Sequence, residues 1–188
     1  RFIQNNTGQP ELVTTDDIIT TNNIQYYQGE YGMGNMYTSL VSGKNEDYFV
    51  DPVRGYHMRL ASNGLQPISE LYKGQYYLRS LMIPYNKNWT RPYGGIARII
   101  GVYDYVEEQC HVILQGGTID GSPIENYNFS FNEKRNSYTS FYDWHPEWVV
   151  SAQDNIYSFV GGVMYIHNNT TDYCNFYGTQ YDVYILPV

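Results

Sequence analysis

ARIIGVYDYVEEQCHVILQGG, residues 97–117, predicts a strand, a tight turn and a second strand. ARIIGVYD starts the unit, YVEEQ supplies its turn, and the turn leads into CHVILQGG. The loop TIDGSPIEN follows, then YNFSF, the turn NEKRN and SYTSFYDW. The whole predicts a four-stranded antiparallel meander over residues 97–144.

The same grammar extends to both sides. Upstream, MYTSLVSG (36–43), EDYFV, the turn DPVRG, YHMRLAS and NGLQPIS (63–69) predict a first unit near 36–70. Downstream, EWVVSAQ, DNIYSFV, the turn GG, VMYIHN and YDVYILPV predict a third four-stranded unit near 147–188. Residues 1–30 are polar and predict an extended lead-in with one or two short strands. LYKGQYYLRSLM (71–82) is the stretch with helical spacing, with Leu71, Leu78, Leu81 and Met82 on one face and Pro84 as its stop. Residues 85–95 are expected to be a loop.

Units repeating at about 40 to 60 residues match the scale of propeller blades. The expected fold is therefore all-β and β-propeller-like, a single β-rich domain or domain fragment over 1–188; a β-sandwich is the alternative. Three units, an opening RFIQNNTGQP without Met and a strand-like end suggest part of a larger propeller.

Composition narrows the function. Lys plus Arg is 11 against 19 Asp plus Glu, a net charge of −8, which disfavours nucleic-acid backbone and anionic membrane. No apolar run approaches the ~20 residues that span a bilayer. The 22 Tyr suit half-buried, half-wet strand surfaces. Cys110 and Cys174 read as two separate thiols, with a disulfide as the alternative.

Two stretches resemble a known family. EDYFVDPVRGYHMRLASNGLQPISE is similar to an aspartate-turn-Arg-Gly hairpin followed by an "nGl.pIS" corner. IIGVYDYVEEQCHVIL and then YNFSFNEKRNSYTSFYDWHPEWVVSAQDNIYSFVGGVMYIHN resemble the segments that come next, and NFYGTQYDVYI follows them. The family is the tail-associated, muzzle- or tail-like β-propeller virion proteins of podovirus-like and crAss-like phages of gut Bacteroidota. The likeness spans about residues 45–185, with YYLRSLM standing for the family's helical insertion and Tyr138 where that pattern has Trp. It implies a non-enzymatic structural protein of the virion tail, made in the host cytoplasm, whose partners are other tail subunits.

Catalytic signatures weigh against this only lightly. No G-x-S-x-G elbow, Asp-box repeat, HxH or HExxH occurs. Asp104, Asp143 and Glu147 are candidate carboxylates for a hydrolase, the third hypothesis, but Asp104 and Asp143 read as turn caps. Cys110 and His111 are adjacent on a strand and point to opposite faces, so they form no dyad. No catalytic residue, cofactor or metal site is expected, although TIDGSPIEN carries fragments of a Ca²⁺ loop.

The alternative function is carbohydrate or receptor recognition, with a host surface glycan as candidate partner. Its candidate ligand or interface aromatics are Trp89, Tyr142, Trp144 and Trp148. TSFYDWHPEWVV (139–150) concentrates three of these around Asp143, His145 and Glu147. At the junction of two units, Phe141, Trp144 and Trp148 are expected to pack and the three polar side chains to serve the turn.

Overall fold

A computed structural model of the chain describes residues 2–4, 10–12, 27, 29–87, 97–119, 122–168 and 173–182. β1 (Phe2–Gln4) and β2 (Pro10–Leu12) form a short hairpin. A 3-10 turn at Tyr37–Ser39 leads into the first sheet: β3 (Val41–Ser42), β4 (Asp47–Asp51), β5 (Tyr56–Ala61) and β6 (Gly64–Pro67). α1 (Ile68–Leu71) and α2 (Gln75–Lys87) follow. The second sheet contains β7 (Arg98–Asp104) and β8 (Gln109–Gln115); the hairpin β9 (Gly117–Ile119) and β10 (Ser122–Ile124) comes next, and then β11 (Tyr127–Asn132) and β12 (Ser137–Phe141) complete the sheet. The third sheet is β13 (Trp148–Ala152), β14 (Asn155–Val160) and β15 (Val163–Ile166). β16 (Asn175–Phe176) and β17 (Thr179–Gln180) pair separately.

The fold is all-β, built from successive antiparallel meanders that resemble propeller blades. They do not close a ring among the described residues.

Turn chemistry repeats with the sheets. Asp51 Oδ1 accepts from the N–H groups of Val53 (3.0 Å) and Arg54 (3.1 Å). Asp104 Oδ1 does the same for Val106 (2.9 Å) and Glu107 (3.0 Å), and Asn132 Oδ1 accepts from Arg135 (2.8 Å). Each turn closes on a residue of positive φ: Gly55 at 72°, Glu108 at 53° and Asn136 at 47°. A short polar side chain satisfies the turn's N–H groups, and a left-handed residue returns the chain to the ladder.

The second sheet is the middle layer, and Cys110 to Leu114 are all buried. That near-continuous burial marks a strand covered on both faces. On one face Ile99, Tyr103, Cys110, Val112, Phe129 and Phe131 pack against Tyr48 and Val50 of the first sheet and Leu78, Met82 and Tyr85 of α2. On the other, Ile100, Val102 and Ile113 meet Trp144, Val149 and Ile156. Fully burying an aliphatic or aromatic side chain of this size contributes about 1.5–3 kcal/mol.

Three expectations are corrected. The helical region is two helices, and α2 continues through Pro84 to Lys87. An interior proline removes one backbone hydrogen bond. Here Leu78, Leu81, Met82 and Tyr85 compensate, because they form one buried stripe at i, i+3, i+4 and i+7. Leu71 is not on that face; it sits exposed on α1. Among the described residues the third sheet has three strands; Tyr181 and Asp182 of the expected fourth, YDVYILPV, are not strand, and 183–188 lie outside the described residues. TIDGSPIEN is largely strand, as the β9–β10 hairpin. MYTSLVSG contributes only the two-residue β3, after its 3-10 turn. In the 85–95 stretch, residues 88–95 also lie outside the described residues.

Candidate functional site

The face of the second sheet that meets the third is apolar at one end and polar at the other. Register places Val102 and Ser130 on either side of His111, and Asp104 and Asn132 on either side of Gln109. The third sheet covers the apolar end through Val149 and Ile156. The polar end opens into a cleft of about 520 Å³ shared with the β16–β17 hairpin.

Asp104, Glu107, Gln109 and His111 line the cleft from the second sheet, and Tyr142 and Trp144 from the segment after β12. Tyr165, His167, Asn168, Tyr173, Phe176 and Tyr177 complete the wall. The Trp144 and His167 rings lie 4.5 Å apart, His111 and Tyr142 5.2 Å, and Tyr165 meets Tyr177 edge-on at 4.9 Å.

Most polar groups here hold one another. Ser158 Oγ lies 2.7 Å from His167 Nε2 and accepts from Tyr177 Oη at 3.1 Å. Asn168 Nδ2 donates to Asp104 Oδ2 at 3.3 Å. Thr139 Oγ1 donates to Gln109 Oε1 at 3.2 Å and lies 2.8 Å from Ser130 Oγ. His111 is the exception: the residue is 5% exposed, and its buried Nδ1 has no hydrogen-bond partner among the described residues.

Burial pushes both His111 and His167 down to about 4, against the opposing pull of Asp104. Both rings are therefore neutral at pH 7. Asp104 and Glu107 line the cleft and, among the described residues, no Lys or Arg does, so it repels anions.

Of the aromatics singled out from the sequence, Tyr142 and Trp144 stand in this wall. Trp148 does not; it lies 39% exposed on the third sheet. Trp89 lies outside the described residues. Only Trp144, 3% exposed, packs at the junction as expected; Phe141 is 57% exposed, touching Phe129 and Tyr77. The reason is register: Trp148 pairs with Phe159 on the outer face, while its neighbour Val149 turns inward. Asp143, His145 and Glu147 do not line the cleft. Asp104 caps its turn, whereas Asp143 is exposed and accepts no backbone hydrogen bond among the described residues. No local pattern marks Tyr165, His167 and Tyr177: the third sheet and the segment after it carry the first two to the cleft, and the β16–β17 hairpin carries Tyr177.

A second constellation is sealed in the core. His57 Nε2 lies 3.8 Å from Cys110 Sγ, and His57 Nδ1 lies 3.1 Å from Tyr138 Oη. Burial lowers His57 to about 3 and pushes the Cys110 thiol up. Both groups stay neutral, so no thiolate–imidazolium pair forms. Cys110 and Cys174 are both free thiols. Among the described residues no three His, Cys, Asp or Glu side chains cluster to hold a metal ion, and no helix is long and apolar enough to cross a membrane.

No protein-family model matches the chain, and no curated protein matches it.

Proposed function

We propose that this chain is a non-enzymatic structural module of a virion tail, and that its work is contact between subunits. The observation that carries this reading is the outer face of the third sheet. Trp148, Phe159 and Met164 form one cross-strand row and Val150, Tyr157 and Ile166 the next. Trp148, Val150, Met164 and Ile166 are exposed. A contiguous apolar sheet face of this kind marks an interaction surface. The opposite face of the same sheet already packs on the second sheet, so a neighbouring subunit's apolar sheet would continue the stack. The order and spacing of the motifs from EDYFV to NFYGTQY support the virion setting. The net charge of −8 suits a protein near packaged DNA that must not bind it.

The test is incorporation. Met164→Lys with Val150→Glu places charges on the face without touching the core. The double variant is expected to fold, by circular dichroism, and to be absent from purified particles by mass spectrometry. Incorporation at the level of the unmodified chain would contradict the reading.

A further inference from the structure

We infer that the cleft between the second and third sheets is a binding site for a neutral pyranose sugar. The inference stands apart from the tail role, which rests on the outer face of the third sheet; of that face's residues, Ile166 alone also lines the cleft. The volume of about 520 Å³ falls within the ~300–1,000 Å³ of small-molecule sites. Its chemistry is mixed in the way a sugar requires. Tyr142, Tyr173 and Tyr177 supply aromatic surface for the C–H face of a pyranose ring. Gln109, Asn168 and Asn175 supply amides, which both donate and accept, as hydroxyl groups do.

His111 adds a polar ring to the wall: it lines the cleft and is 5% exposed. As the imidazole is neutral, its nitrogens offer one donor and one acceptor, which suits a hydroxyl.

Charge selects among ligands. Asp104 and Glu107 with no cation in the wall disfavour sialic acids, phosphates and other anions. An organic cation is the competing occupant, since aromatic rings with carboxylates also hold quaternary ammonium groups. The amide-rich wall favours the sugar, because a quaternary ammonium centre has no N–H to donate and no lone pair to accept with, and so leaves the amides unused.

The experiment is NMR of the full chain titrated with methyl glycosides of glucose, galactose, mannose and N-acetylglucosamine, with choline and N-acetylneuraminic acid as parallel probes. At least one neutral glycoside is expected to shift the Trp144 indole and the His111 and His167 rings while leaving the Trp148 indole in place. Tyr173→Ala, at a rim residue 80% exposed, is expected to weaken binding roughly tenfold without unfolding the chain. Tyr76→Ala, an exposed control on α2, should change nothing. Tighter binding of the matching oligosaccharide would assign the site to a polysaccharide rather than a free sugar. The inference is overturned if no neutral glycoside shifts the cleft resonances, or if choline shifts them and the glycosides do not.

Discussion

His57 and Cys110, 53 residues apart in the chain, bring Nε2 and Sγ within 3.8 Å across the interface of the first and second sheets. Tyr138 meets the other ring nitrogen from β12. Three polar side chains therefore bridge two sheets inside an aromatic core, with Tyr48, Phe129 and Phe131 around the imidazole. All three are uncharged at neutral pH, so the bridge needs no compensating ion.

That neutrality makes stability depend on pH. His57 has a folded pKa of about 3, and His111 and His167 about 4, against an ordinary 6.5. A depressed folded pKa means that the unfolded chain binds more protons below 6.5. Stability is fully present above that value and falls as pH drops from about 6.5 toward 4, by up to ~1.4 kcal/mol per pH unit for each group. Urea melts should give a lower midpoint at pH 5 than at pH 7. His57→Phe combined with Tyr138→Phe should make the decline shallower. A midpoint that does not change between those pH values would refute this.

The two thiols should differ in reactivity. Cys110 is buried and its thiol is pushed up, whereas Cys174 is partly exposed. Iodoacetamide on the native chain should label Cys174 alone, and both thiols after unfolding. Native labelling of Cys110, or a mass shift on reduction, would show this packing to be wrong.

Trp144 and Trp148, four residues apart, should behave oppositely. Trp144→Ala empties a packed site and should destabilise by about 3–5 kcal/mol. Trp148→Ala removes a solvent-facing ring and should stay within ~0.5 kcal/mol for the isolated chain. Chemical denaturation of the two variants checks the contrast; equal effects would mean that the register of β13 is wrong.

Gly55 ties the first sheet to α2. Its φ is 72°, and an added Cβ would lie 2.6 Å from Arg79 Cγ and 2.8 Å from Arg79 Cα. Gly64 also has positive φ, but open space around it. Gly55→Ala carries both backbone strain and overpacking, and should cost about 1–3 kcal/mol more than Gly64→Ala, measured by thermal melts. Similar losses at both sites would contradict the docking of α2 on that turn.

Local signals made the strands legible. The short apolar runs in RIIGVYD and QCHVIL, and the turns DPVRG, YVEEQ and NEKRN, depend on residues close in sequence. Contacts that overrule local preference were not legible. Pro84 looked like a stop because the stripe that carries α2 past it ends in Tyr85, whose hydroxyl donates to Glu125 O at 2.5 Å, 40 residues away. Cys110 was weighed against His111 because they are adjacent, yet its partner is His57. The cleft was half legible: Tyr142 and Trp144 lie in a conspicuous aromatic run, while His167 and Tyr177 arrive only when the third sheet and the last hairpin fold over the second. No local pattern encodes that closure.

The proposed subunit interface on the outer face of the third sheet should be visible by cryo-electron microscopy of the particle, with Trp148, Met164 and Ile166 buried against a β-sheet of a neighbouring subunit. Density placing that face in open solvent within the assembled particle, or particles that lack the chain, would contradict it.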